Sequence, residues 1–194
     1  MYPAFMKLSR IMAYLGGTML AVLILLTCLS VLGRSLNGML HSDLVEGIAP
    51  GFAQWAINLG VGPINGDFEL IEAGIAFAIF AFMPLCTLSG AHASVDIFTQ
   101  GMSGRVNRIL SLITSLLFAA VFVLIATQLF GGLLTKYRSG QTTFLLEFPL
   151  WWAYALSMFA AAIAAVVAVY VAVMRVLETL SGHDLLPTET GADH

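Results

Sequence analysis

The stretch that decides the fold is residues 68–98, FELIEAGIAFAIFAFMPLCTLSGAHASVDIF. Two acidic residues, Glu69 and Glu72, stand at its start, and a polar turn with His92 and Asp96 follows its apolar part. The apolar part has roughly twenty residues, which is the length that a helix needs to cross the hydrocarbon core of a bilayer. We therefore expect the stretch to span a membrane, with its two ends on opposite sides.

The composition of the whole chain agrees with this reading. Of its 194 residues, 59% are hydrophobic and only 10% are charged, whereas soluble domains have about 25% charged residues. A soluble protein of this size could not bury so much apolar surface, so lipid must cover it. The formal net charge of −3 provides no basic face for nucleic acid, and that class of partner is excluded.

Three further stretches have the length and low charge of a membrane span. The expected spans are residues 11–33, 70–88, 109–134 and 149–174. The predicted fold is an all-α integral membrane protein with one four-span domain over residues 1–175. Residues 176–194 are polar, and we expect them to form a disordered cytoplasmic tail.

The connections between the spans carry weaker helical signals. Residues 52–59 have apolar residues at helical spacing, with Pro50 ahead of them and Gly60 behind. They predict a short amphipathic helix on the outer membrane surface, or alternatively a loop helix that caps the bundle. The connection at residues 92–108 is also partly apolar, and we expect it to lie along the inner interface.

Basic residues predict the orientation. If the N-terminus is inside, the inner side holds Lys7, Arg10, Arg105, Arg108 and Arg175, and the outer side holds Arg34, Lys136 and Arg138. Five against three agrees in direction with the excess of basic residues on the cytoplasmic side of membrane proteins. Both termini are therefore predicted to be cytoplasmic, with the protein in the inner membrane.

Small residues recur at every fourth position and predict close helix contacts. The candidate packing positions are Ser111, Ser115 and Ala119 in the third span, and Ala153, Ser157, Ala161 and Ala165 in the fourth. A second ribbon in the fourth span consists of Ala160, Ala164, Ala168 and Ala172. Candidate anchors at the lipid headgroups are Trp151 and Trp152 on one side, and Arg105 and Arg108 on the other.

Residues that would carry chemistry are missing from the spans. No charged residue lies near the middle of a span, where one would cost about 2.5–3.5 kcal/mol and would mark a transport site. The four histidines lie outside the spans and far apart in sequence, and the chain has no Cys-x-x-Cys. The sequence therefore predicts no catalytic residue, no cofactor and no metal site in this chain.

The charges at the ends of the spans are candidates for contacts. Arg34 ends the first span and Glu69 begins the second, so they could pair with each other, or one of them could bind a partner subunit, or both could simply be solvated. Glu72 lies one turn further along, on the same face as Glu69. On the inner side, His92 and Asp96 could cap their own turn or contact a partner.

Four features, in this order and spacing, resemble those of one family: the small membrane subunit, or dicarboxylate-type small permease, of tripartite ATP-independent periplasmic (TRAP) transporters. The resemblance covers residues from about 7 to 175. The features are Gly33-Arg34 at the end of span one, Glu69 at the start of span two, Gly90-Ala91-His92 with Val95-Asp96, and Pro149-Leu150-Trp151-Trp152-Ala153-Tyr154 at the start of span four.

The resemblance implies a non-catalytic subunit of a sodium-coupled transporter for carboxylate solutes. In that family a large membrane subunit binds sodium and substrate, and a periplasmic binding protein delivers the substrate. The small subunit would pack on the scaffold of the large one, and Arg34, Glu69, Glu72, Lys136 and Arg138 would be candidates for docking the binding protein or contacting the other subunit. The alternatives are a self-contained four-helix carrier acting as a homo-oligomer, and an assembly or scaffold subunit of another membrane complex.

Overall fold

The computed structural model describes residues 2–42, 47, 50–90 and 104–181. Five named helices account for most of this part: α1 Tyr2–Leu40, α2 Pro50–Asn58, α3 Asp67–Ser89, α4 Gly104–Ser139 and α5 Trp151–Ser181. All of them except α2 are long and apolar enough to cross a membrane, which confirms the four predicted spans. The described residues contain no strand, only an isolated antiparallel bridge between Thr142 and Pro149.

The helices extend beyond the predicted spans. α1 includes Tyr2 at one end and Leu40 at the other, so the basic start and part of the first outer connection are helical. α5 continues to Ser181, and residues 176–181 are therefore helical rather than disordered. Hydropathy marks where the lipid ends, whereas backbone hydrogen bonds can continue a helix into water.

The segment predicted along the inner interface is described only in part. Residues 104–108 form the first turn of α4, while His92 and Asp96 lie outside the described residues. Just before that segment, α3 ends at Gly90, which has a φ of 66° and donates its N–H to the carbonyl of Cys86. A left-handed glycine of this kind is a common helix end, because it lacks the Cβ that disfavours this conformation.

The four long helices form a row rather than a closed bundle. Extensive contacts join α1 to α3, α3 to α5 and α5 to α4, so the spatial order is α1, α3, α5, α4. Half of the residues in the most apolar part of α5 are buried. In the most apolar parts of α1 and α4, less than a fifth of the residues are buried. α5 is therefore an internal helix of the fold, and α1 and α4 form its two edges.

Alanines bring α5 close to both neighbours. Ala164 packs with Ala119 and Phe122 of α4, and Ala160 packs with Ala81 of α3 and Met12 of α1. Small side chains allow helix backbones to approach closely in a membrane. Of the seven candidate packing positions, four are buried and three are half-buried, and all four residues of the second ribbon are buried. Among the seven, the buried ones are Ala119, Ser157, Ala161 and Ala165, and the half-buried ones are Ser111, Ser115 and Ala153.

Glycines set the contact between α1 and α3. A Cβ on Gly16 would lie 2.9 Å from the Cβ of Ala81 and 3.2 Å from the carbonyl oxygen of Ala78. A Cβ on Gly74 would lie 3.1 Å from two methyl carbons of Leu23. The two helices therefore touch where neither can carry a larger side chain without moving.

Candidate interaction site at the outer end

One end of the row is formed by the C-termini of α1 and α4 and the N-termini of α3 and α5. We call it the outer end, following the orientation that the basic residues predict. Five of the candidate residues lie here: Arg34, Glu69, Glu72, Lys136 and Arg138. The structure shows which of them contact each other and which remain open.

Asp67 is the polar centre of the contact between α1 and α3. Its Oδ2 accepts a hydrogen bond of 2.5 Å from the hydroxyl of Ser30 on α1, and its Oδ1 accepts the backbone N–H of Phe68 at 2.9 Å. The Arg34 guanidinium lies 3.8 Å from the same Oδ2 and 6.0 Å from the centre of the Phe68 ring. Asp67 is buried, while the side chain of Arg34 is 58% exposed.

The loop before α3 lies directly on α1. The side-chain amide of Asn37 donates to the carbonyl of Val61 at 2.9 Å, and the backbone N–H of Ile64 donates to the Ser30 hydroxyl at 3.3 Å. A Cβ on Gly33 would overlap the carbonyl oxygen of Gly62. Residues 30, 33 and 37 follow helical spacing, so one polar and small face of α1 holds this loop.

Glu69 holds a different loop, the connection between α4 and α5. Its two carboxylate oxygens accept the backbone N–H groups of Leu145 at 2.7 Å and Leu146 at 2.9 Å. The predicted pair between Arg34 and Glu69 is thus wrong: Arg34 lies beside Asp67, and Glu69 binds backbone amides. A carboxylate that receives two adjacent N–H groups makes charge-assisted hydrogen bonds, which are stronger than neutral ones.

Further contacts fix the shape of the α4–α5 connection. The N–H of Thr143 donates to the carbonyl of Phe148 and that of Leu150 donates to the carbonyl of Gln141, both at 3.0 Å. The Leu146 side chain covers Gly66 closely enough that a Cβ there would overlap it. The loop is therefore closed on itself and attached to α3, yet Phe144 at its tip is 92% exposed.

The remaining outer candidates differ in whether their side chains contact the rest of the protein or are exposed. The Lys136 ammonium donates to the side-chain carbonyl of Gln141 at 2.6 Å, so it helps to hold the α4–α5 connection. Glu72 and Arg138 are exposed. Together with Arg34, these two residues are the candidates whose side chains face outward.

Aromatic rings gather where α4 ends and α5 begins. Trp151 meets Tyr137 edge to face, with ring centroids 5.6 Å apart, and meets Trp152 in the same way at 6.0 Å. Trp152 is exposed. Aromatic side chains of this kind are enriched at the membrane–water boundary, and the role of Trp151 and Trp152 as headgroup anchors stays a prediction.

The inner end contains an ion pair that the sequence did not reveal. Arg175 donates to Glu178 at 2.9 Å, and Glu178 is almost fully buried. The sequence signal for this pair is its i, i+3 spacing. Residue 178 belongs to the predicted tail, so this pair was not considered. Arg108 lies in the first turns of α4, whereas the side chain of Arg105 lies outside the part that the structure describes.

The described residues offer surfaces rather than a site for chemistry. No group of three or more metal-ligating side chains is found among residues 2–42, 47, 50–90 and 104–181. The grooves between α4 and α5 are lined by apolar and small residues such as Val123, Ala162 and Val173. The charged side chains described above lie at the ends of the row.

Four membrane-crossing helices with polar contacts at their ends define a multi-pass membrane protein. A family model, Tripartite ATP-independent periplasmic transporters, DctQ component, matches residues 23–179. The chain belongs to this family and is the small membrane subunit of a TRAP transporter, located in the inner membrane. Comparisons with curated proteins and with solved structures give no match.

Proposed function

We propose that the chain is the non-catalytic small permease subunit of a sodium-coupled, binding-protein-dependent transporter for carboxylate solutes. It packs on the scaffold of the large membrane subunit, stabilises it, and helps to dock the periplasmic binding protein. Sodium and substrate are bound by the large subunit, and both termini of this chain lie in the cytoplasm. Family membership supports this proposal.

The observation that carries the proposal is the placement of charge. The acidic and basic residues of the four spans stand at their ends, and between those ends the contacts of the helices consist mainly of alanine, glycine and other apolar residues. An ion-coupled carrier usually keeps an ionisable group inside the membrane, because that group forms part of the pathway of the ion or substrate. A subunit without one fits a role in holding other parts in place.

The outer end supports the docking role. The Asp67 and Glu69 contacts tie the ends of α1 and α3 to the α4–α5 connection. The helix ends that carry Arg34, Glu72 and Arg138 are therefore held in fixed positions. Charges at the rim of an interface steer association and change its rate more than its final affinity, which suits a binding protein that must arrive and leave.

Charge reversal in the reconstituted complex tests the docking role. We expect Arg34→Glu combined with Arg138→Glu to slow uptake strongly at low salt, and to slow it less at high salt where charges are screened. The large subunit should still co-purify with this double variant. The matched control is Lys7→Glu, which reverses a charge at the opposite end. Unchanged uptake in the outer double variant would remove the docking role.

A second experiment separates this function from the alternatives. The chain alone is placed in liposomes and tested for solute uptake under a sodium gradient, beside the full complex. We expect uptake by the complex only. Specific uptake by the chain alone would favour the self-contained carrier. Co-purification with a membrane complex of another kind would favour the assembly role.

A further inference from the structure

The outer turns of α1 are amphipathic, but they turn their polar side toward the protein and leave their apolar side exposed. Their polar residues Ser30 and Asn37 face the protein's own loop and α3, and the mostly exposed Arg34 lies beside Asp67. Their large apolar residues are left open: Leu29, Leu32, Leu36 and Met39 are between 49% and 63% exposed. An amphipathic helix of a complete fold buries its apolar side. This side of α1 therefore needs a cover that residues 2–42, 47, 50–90 and 104–181 do not supply.

The height of these residues argues against lipid as the cover. Ser30 is level with Asp67, to which it is hydrogen-bonded, and Asp67 is the first residue of α3, ahead of its apolar part, so both lie at the outer edge of the hydrocarbon. At 1.5 Å per residue, Leu36 lies about 9 Å and Met39 about 14 Å further out along α1. The headgroup layer is only about 6 Å thick on each side, and an average helix tilt of about 20° shortens these heights by less than a tenth.

The apolar side also continues downward into the bilayer. Val22, Leu25 and Leu29 are exposed and extend the same row with steps of three and four residues. Such spacing places side chains where another helix can pack against them. The covering surface must therefore lie in the membrane and also stand above it.

We propose that the large membrane subunit packs a helix along this row, from Val22 to Met39, as a permanent interface. The inference rests on the proposed function and specifies where the two subunits meet. The soluble binding protein fits less well, because it can reach only the outer residues and leaves during each cycle. Permanent interfaces are more apolar than transient ones, and the row is apolar throughout.

Site-specific photo-crosslinking in the complex of this chain with its large subunit and binding protein tests the proposal. The background carries Cys28→Ser and Cys86→Ser, since both cysteines are free thiols. Leu36→Cys and Met39→Cys are labelled with benzophenone maleimide. Gly38→Cys is the matched control, because this position is exposed in the same turns of α1 but lies outside the apolar row.

We expect labels at positions 36 and 39 to give an adduct with the large subunit, several-fold more than the label at position 38. An adduct with a second copy of this chain, an adduct with the binding protein, or no protein adduct at all would each overturn the proposal. If the unmodified complex fails to co-purify, the proposed function itself fails, and the two failures remain distinguishable.

Charged substitutions provide an independent measurement. Leu36→Asp combined with Met39→Asp should abolish co-purification of the large subunit, because the charges would be buried without partners in the interface. Gly38→Asp should leave it unchanged. All three positions are exposed in this chain, so the helical content by circular dichroism should stay constant. Retained co-purification of the double variant would refute the interface.

Discussion

α5 and α1 are both apolar along most of their length, yet they bury very different shares of their residues. α5 buries mostly alanines and turns Phe159, Val166 and Val173 outward. α1 buries mainly one narrow row of positions, among them Gly16 and Ser30, and leaves most of its large residues exposed. In water, large apolar residues mark the core, but in a membrane they also face lipid. The small residues are therefore the better guide to where helices touch.

The comparison also separates two tasks. α5 has neighbours on both sides and holds the row together, whereas α1 stands at its edge and presents most of its surface to something else. Substitutions in α5 should therefore affect the stability of the chain. Substitutions on the open side of α1 should affect its assembly with the large subunit.

The largest effect on stability should come from Ala164→Leu. Ala164 is fully buried against Ala119 and Phe122, and a larger side chain there would push α4 and α5 apart. Overpacking of this kind costs about 1–3 kcal/mol or more, measurable as a lower thermal midpoint in detergent. The matched control is Val166→Leu on the exposed side of α5. Equal stability of the two variants would contradict the central role of the buried alanines.

A smaller loss is expected at the contact between α1 and α3. Gly16→Ala would bring a Cβ to 2.9 Å from that of Ala81, whereas the nearest atom to a Cβ on Gly17 is 3.9 Å away. Both substitutions gain the same helix propensity, so their difference isolates the clash. We expect Gly16→Ala to be less stable than Gly17→Ala by about 1 kcal/mol. A Gly16 variant as stable as the Gly17 variant would show that the edge helix adjusts freely.

Glu69→Gln should loosen the α4–α5 connection without unfolding the helices. The amide keeps one acceptor oxygen and loses the charge, so at least one of the bonds to Leu145 and Leu146 weakens. Hydrogen exchange of these two amides should become several-fold faster, while exchange in α5 stays the same. Glu72→Gln serves as the control. Unaltered exchange would mean that the loop holds its shape by itself.

The smallest effect is expected for Arg34→Gln. The guanidinium is mostly exposed and lies 3.8 Å from the carboxylate of Asp67, and such surface pairs contribute little to stability. Ser30→Ala should lower the thermal midpoint more, because it removes a hydrogen bond to a buried carboxylate. If Arg34→Gln lowered the thermal midpoint more than Ser30→Ala, the contact would be stabilised by the ion pair rather than by the hydrogen bond from the hydroxyl.

Hydropathy was sufficient to predict the four spans, because helix length and lipid thickness are physically linked. It could not predict that α1 reaches Leu40 or that α5 reaches Ser181, since those turns lie where lipid no longer selects the residues. The packing face of α5 could also be predicted from the spacing of its small residues. Alanine at every fourth position places one small face along the whole helix.

The contacts of the outer end were harder to predict. Reasoning from charge alone offered a pair between Arg34 and Glu69 as one of three alternatives, because they are opposite in sign and close in expected height. The actual partners are a buried aspartate that shares a serine hydroxyl and two backbone amides of a distant loop. Backbone amides carry no signature in the sequence, since every residue except proline has one.

That choice of partner has a consequence for how the protein can change. Because Glu69 accepts the main-chain N–H groups of residues 145 and 146, these two hydrogen bonds do not depend on the side chains there, although the Leu146 side chain also covers Gly66. Phe144 and Leu145 can be exchanged while the loop keeps its pose. The subunit can thus alter what it displays toward other proteins without rebuilding the support beneath it.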